Sequence, residues 1–438
     1  MSTNASEPSR EEPLVNLTAL SPANSPATVA CDVSAYKLNL VCRHLSIPGA
    51  AAEWEIPNRT EAITSTLISI RERAHALGIA ELRLVVEPTG IYHRLVLRIA
   101  ASLGFQTAFV DAGHVTKMRS VLFGDNGKTD ERDPYAIEAV AAQGRLITDR
   151  RHAEVYQLLR QWGKLYADAE VALIDAKSRV HRALTLLFPD FDFSTDFLYG
   201  PSGQAIVRCF GLDPHAIAAL SVSRIYERLR KHSTIRRSSV VRLLAQARQT
   251  VVAISKSRVT DLLARELIFA WEDFELAAHR RETARAELEA LYDEARTIDP
   301  LLPDTTGSAI SKLAFARLLG EAGPLSAYSS WRQLLRMGGV NLRERKSGKY
   351  VGQTRIARTG RPLFRAILNQ MALPLVKHDR LYGSYYHHKT GIQKMPGKKA
   401  MTAVGRKIVK MIWGWYRSGA AFDPARVFAS EAEYRRAA

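Results

Sequence analysis

The chain has 438 residues, with 62 Lys and Arg against 44 Asp and Glu, a formal net charge of +18. Such an excess favours a polyanionic partner, nucleic acid before a membrane surface. Apolar residues make up 46% and charged residues 24%, the balance of a globular protein of two or three domains. No apolar run approaches the roughly 18 residues of a spanning helix, and no basic amphipathic segment stands out, so a membrane is set aside.

Cys31, Cys42 and Cys209 are too few and too scattered for a disulfide framework or a zinc site. They read as buried thiols in a reducing cytoplasm, and the N-terminus lacks the pattern of an export signal. Residues 1–27, rich in Ser, Pro, Asn and Glu, read as a disordered tail.

Residues 28–150 alternate between strands and helices. Apolar runs at 28–33, 38–42 and 52–56 predict three strands, the first two joined at hairpin spacing through Ser34, Ala35, Tyr36 and Lys37. A helix follows with Ile63, Leu67, Ile70, Ala74 and Leu77 on one face, Asn58 and Glu61 as its capping box, and Gly78 as its stop. A strand at 82–86, a helix at about 92–103, a strand at 105–110 and a helical run at 135–142 complete an α/β sheet with a mixed-order core.

Residues 151–297 are helical. Val155, Leu159, Trp162, Tyr166, Ala169, Leu173, Ala176, Val180, Ala183 and Leu187 recur four and three apart until Pro189. A second series runs from Leu263 to Ala295, broken in character only by Arg281. Two such seams predict a long coiled coil, folded back on itself or shared between subunits, with two helices of an ordinary bundle as the plainer reading. Between them, residues 190–254 carry short helical patterns and a basic stretch at 228–237, a helical insertion to which the sequence gives no role. Residues 298–438 are Gly-punctuated and basic, with Arg343, Arg345, Lys346, Lys349, Arg355, Arg358, Arg361 and Arg365 close together. A second basic cluster at 394–410 precedes Trp413, Trp415 and Tyr416.

Four acids form an ordered set: Asp32 and Glu87 at strand ends, and Asp130 and Asp133 just before a helix, three apart and able to face one way. Singly, each is an ordinary turn former or helix-start residue. Together they can gather four like charges, which need cations to coexist, and oxygen-only ligands select Mg²⁺ or Mn²⁺. A pair of such ions suits phosphodiester chemistry. In the C-terminal part, Ser347 lies in a polar loop between Gly338-Gly339 and a helix starting near Arg361. By composition alone this Ser-Gly is a turn against a DNA backbone; a hydroxyl becomes a useful nucleophile only with a base or a strong local positive potential, which the neighbouring cations supply. His387 and His388 lack ligand spacing and read as solvent-facing, and Asp111 reads as a turn residue.

The order strand-Asp, strand-Glu, helix Asp-x-x-Asp resembles the RuvC-like branch of the ribonuclease H fold. The strings Cys31-Asp32-Val33-Ser34-Ala35-Tyr36-Lys37, Val86-Glu87-Pro88-Thr89-Gly90-Ile91-Tyr92 and Lys128-Thr129-Asp130-Glu131-Arg132-Asp133 resemble the N-terminal domain of the DEDD transposases of the IS-one-ten family. Pro88 and Pro134 stand where that family usually has Ala. Ser347-Gly348, Gly352, the run from Arg355 to Gly360, Leu363, Arg365-Ala366, Gly405-Arg406-Lys407 and the run from Ser418 to Asp423 resemble its C-terminal transposase domain. At 304–307 only Gly307 matches the family's Gly-x-Gly turn.

The resemblance implies an α/β RuvC-like (ribonuclease H-type) domain, a long helical coiled coil and a mainly α C-terminal transposase domain. It implies that Asp32, Glu87, Asp130 and Asp133 hold the metal and that Ser347 links covalently to DNA. It further implies a structured noncoding guide RNA. Lys128, Arg343, Arg345, Lys346, Lys349, Arg355 and Arg358 are the expected nucleic-acid contacts, and a homodimer or tetramer is the expected assembly. Two other readings compete: a metal-dependent structure-specific nuclease that uses water in place of the serine, and a non-catalytic nucleic-acid scaffold.

Overall fold

The computed structural model describes residues 26–45, 52–88, 90–124, 131–148, 152–344, 346–347, 350–352 and 354–419, so the expected tail lies almost wholly outside it. The chain divides into two compact units, 1–151 and 152–438.

The first unit holds a six-stranded sheet. Its strands are β1 (Ala27–Val33), β2 (Lys37–Val41), β3 (Glu53–Pro57), β4 (Leu82–Val86), β5 (Gln106–Phe109) and β6 (Ile147–Thr148), in spatial order β3-β2-β1-β4-β5-β6. β1, β4 and β5 run parallel, while β2, β3 and β6 are antiparallel to their neighbours. This mixed sheet is compatible with a RuvC-like domain. Because side chains alternate across a strand, Val29, Cys31, Val33, Leu84 and Val86 face one core with α1 (Thr60–Ala76) and α2 (His93–Ser102). Ala30, Val85, Ala108 and Val110 face a second core with α3 (Ala112–Phe123) and α4 (Asp133–Ala142).

Two local expectations need correction. Asn58 does not cap α1: the N-cap is Arg59, without a side-chain cap, and Asn58 Nδ2 donates to the carbonyls of Ser34 and Tyr92 instead. That amide ties the β1–β2 turn to the start of α2, a long-range use that a local capping pattern does not reveal. Leu77 falls past the end of α1 and is exposed, because Gly78 takes a left-handed φ of 74° and ends the turn. Asp111, expected as a turn residue, caps α3 by accepting from the Gly113 and His114 amides.

In the second unit, α5 (Glu154–Leu187) and α11 (Arg258–Ile298) pack against each other in opposite directions. Contacts of Arg281 with Tyr166, Asp273 with Arg179 and Glu266 with Arg182 fix the antiparallel register. The two seams therefore meet within one chain. Arg281, the break in the apolar series, is explained by its partner: Nε donates to the Tyr166 hydroxyl at 3.2 Å.

One end of this hairpin shares a core with α6 (Thr195–Tyr199), α7 (Pro201–Phe210), α8 (Pro214–Ala218), α9 (Val222–Leu229) and α10 (Arg237–Ala253). The other end, through Leu159, Tyr166, Leu288 and Tyr292, shares a core with α12 (Lys312–Ala322), α13 (Trp331–Met337), α14 (Pro362–His378), α15 (Arg380–His387) and α16 (Gly397–Ser418). The boundary drawn at 297/298 thus lies inside the second unit, since the last turns of α11 belong to the C-terminal core. Trp413, Trp415 and Tyr416 are buried in it. His387 is exposed but His388 is half-buried, at the start of a π-helical turn, His388–Ile392. Among the described residues no helix is long and apolar enough to cross a membrane.

Candidate active site

The pairing of β1 with β4 sets Cys31 opposite Val86. Asp32 is the next residue of β1, and Glu87 follows directly where β4 ends, so both lie at the same end of these two neighbouring strands. The alternation that sends Cys31 into the α1–α2 core turns Asp32 toward the side of Ala30. That is the side covered by α4, whose first residue is Asp133. Pro134 occupies the first turn of α4, where its missing N–H costs nothing.

Asp133 is 1% exposed, and its carboxylate is held by Arg119 of α3, with Nε 2.5 Å from Oδ1 and Nη2 3.5 Å from Oδ2. Arg119 is itself 6% exposed. A buried carboxylate is stable only with such compensation. Five residues along α4, Glu138 accepts from the Arg43 amide and pairs with its Nε at 2.9 Å. Burial pushes the Glu138 carboxyl up to about 7, against the opposing pull of the Arg43 amide and guanidinium. Sequence reasoning singled out neither Arg119 nor Glu138. The pattern Asp111 cap, Val115 and Leu122 would have marked α3, but nothing local says that Arg119 points inward.

Asp130 and Lys128 lie outside the described residues. Among the described residues no three His, Cys, Asp or Glu side chains are gathered closely enough to hold a metal. The donor chemistry nevertheless fits a hard divalent cation: Asp32 and Glu87 bring only oxygen ligands to the C-terminal ends of the two central strands, and α4 begins with a third carboxylate.

The polar loop expected around Ser347 is an antiparallel ribbon. β7 (Leu342–Arg343) pairs with β10 (Arg355–Ile356), and β8 (Lys346–Ser347) pairs with β9 (Tyr350–Val351). Ser347 pairs with Tyr350, which leaves a two-residue connection, the commonest hairpin spacing. The side chains of Lys346 and Ser347, and residues Arg345 and Lys349, lie outside the described set. Arg343 and Arg355 stand directly opposite each other and are exposed, as is Arg358. Like charges in opposed positions destabilise a ribbon unless an anion offsets them.

The base of the ribbon is a close backbone crossing. Arg358 N donates to Gly339 O, and Arg361 N donates to Met337 O. Arg361 and Arg365 serve this junction: their guanidinium groups donate to the carbonyls of Glu321 and of Gly338 and Gly360 respectively. Gly360 has φ of 128°, and a Cβ there would lie 2.3 Å from Met337 O. Gly360→Ala should therefore cost about 3 kcal/mol or more and lower the melting temperature by roughly 6 °C or more. Differential scanning calorimetry checks this, and an unchanged melting temperature would show that the crossing yields easily.

Residues 31–189 match a family model for the DEDD domain of IS110 transposases, described as Transposase. Residues 305–387 match the model described as Transposase IS116/IS110/IS902 family. The chain belongs to this transposase family. The first match spans the sheet carrying Asp32 and Glu87 and the start of α4, and runs on through α5; the second spans the serine ribbon and α12 to α15. The transposase is thus a DNA-recombining enzyme, and DEDD domains of this type use divalent metal ions. No curated protein matches the transposase at a significant level.

Proposed function

We propose that the transposase cuts and rejoins the DNA of an insertion sequence with two sets of groups, the carboxylates Asp32, Glu87, Asp130 and Asp133 and the hydroxyl of Ser347. The observation that carries this reading is that Asp32 of β1 and Glu87, directly after β4, follow the Cys31–Val86 pair at the same end of two neighbouring parallel strands. The acids would hold Mg²⁺ or Mn²⁺, which when bound neutralises phosphate charge and polarises the phosphorus–oxygen bond.

Ser347 Oγ forms a new bond to phosphorus while the bond to one deoxyribose oxygen breaks. The serine proton passes to solvent and the departing oxygen takes one up. One phosphoester replaces another, so the reverse attack by a DNA hydroxyl rejoins strands without ATP. Lys128, Arg343, Arg345, Lys346, Lys349, Arg355 and Arg358 position the phosphate backbone by charge-assisted bonds. A structured guide RNA and a dimeric or tetrameric assembly complete the reading; both rest on the family likeness.

The test is a denaturing gel of the full-length transposase with its element ends, any cognate RNA and Mg²⁺. Wild type should give a protein–DNA band, and Asp32→Asn and Glu87→Gln should reduce it by roughly 10²–10³-fold or more, as expected when a group stabilising transition-state charge is lost. DNA binding without divalent ions should persist in both. Undiminished bands in these variants would overturn the carboxylate assignment.

A further inference from the structure

The second basic cluster of the sequence, around 394–410, has no part in the mechanism above. In the fold, part of it meets the π-helical turn that follows α15. Lys389 Nζ lies 5.3 Å and Lys407 Nζ 5.6 Å from the centre of the same Tyr385 ring, and Lys410 Nζ lies 5.9 Å from the centre of the Trp331 ring. Arg406, beside Lys407 on α16, has its Nε buried without a hydrogen-bond acceptor among the described residues. The elements that make this notch bring no carboxylate: residues 380–418 contain no Asp or Glu, and neither does α13 or α14.

Cations repel at such spacing, and half-burial removes the water that would screen them. Lys389 and Lys407 both have their pKa lowered, first by burial and then by neighbouring cations, and Arg406 is lowered by burial. A fold spends stability on such an arrangement, and on a π-helical turn, most often where a ligand repays it. Three cations with one unsatisfied donor, over an aromatic floor, match an anion that is compact, multiply accepting and carried on a polymer this enzyme already handles.

We propose that Lys389, Arg406 and Lys407 form a seat for a backbone phosphodiester of a nucleic acid strand, separate in the chain from the serine ribbon. The seat rests on the nucleic-acid-acting reading only for the identity of the polymer. It needs neither the acids nor the serine, so its test is equilibrium binding without divalent ions, and failure of the cleavage chemistry would leave it untouched.

The experiment measures fluorescence anisotropy of the full-length protein with a labelled DNA duplex and, separately, an RNA hairpin, over a KCl series. Each neutralised phosphate contributes about 0.9 to the slope of log K against log salt. Lys389→Gln with Lys407→Gln should lower the slope by about 1 and weaken binding about tenfold at fixed salt. Lys389→Arg with Lys407→Arg should keep the slope, which also shows that the notch still folds. Lys398→Gln with Lys399→Gln, exposed on the same helix, should change it less. A fall with DNA, with RNA or with both supports the seat and says which strand occupies it. An unchanged slope with both polymers, or an equal fall in the Lys398–Lys399 variant, would show a merely solvated basic face and overturn it.

Discussion

Ser347→Ala is expected to abolish the covalent protein–DNA product, a fall of at least about 10³-fold, while leaving the fold and DNA affinity intact. The substitution removes one oxygen, the atom that would bond to phosphorus, and a lost nucleophile is not replaced by its neighbours. Ser347 contributes its backbone to the ribbon through its pairing with Tyr350, and alanine can keep that pairing. Cleavage should fall with the adduct. If cutting persists without an adduct, the enzyme uses water at the carboxylates alone, as a metal-dependent nuclease does. If Ser347→Ala still gives the band, another residue is the nucleophile. The same denaturing gel, with a parallel measurement of free cut ends, separates these outcomes.

Arg119→Ala is expected to destabilise the first unit by about 3–5 kcal/mol, because it removes the buried guanidinium that pairs with the buried Asp133 carboxylate. Asp133 and Arg119 are both almost wholly enclosed, so solvent screening cannot soften the loss. Amide hydrogen exchange in β1 and β4, measured without divalent ions, reports this locally. Arg119→Met combined with Asp133→Asn should recover most of the protection, since the buried negative charge is then gone. If Asp133 is also a metal ligand, Mg²⁺ should partly restore protection in Arg119→Ala, by offsetting the buried carboxylate charge in place of the guanidinium. Unchanged protection in Arg119→Ala would mean that water reaches Asp133 more easily than its burial indicates, and no response to Mg²⁺ would count against its role as a ligand.

Much of the architecture was legible because it is written in short-range periodicity. Runs such as that of β4 have one state that buries them, and the four-three spacing of α5 and α11 marks a helical seam whatever lies opposite. The order of the acids along the chain was enough to bring Asp32 and Glu87 to strand ends. What failed was the use of a side chain beyond its own turn. Asn58 has the spacing of a cap and spends its amide on Ser34 and Tyr92. Arg281 looks like a fault in an apolar series until Tyr166 is placed beside it. Ser347 looks like a loop residue, because strands of two residues are too short to show alternation.

By itself, the sequence determined the basic character, the acids at strand ends, the long helical seams and the serine within a run of cations. Only the tertiary structure decided that the seams close on each other within one chain, that Asp133 is matched by Arg119, that the serine rides on a ribbon, and that Lys389, Arg406 and Lys407 crowd one notch. The division has a physical cause. Backbone periodicity is fixed by neighbours in the chain, whereas the partner of a buried charge is chosen by packing among residues far apart in it.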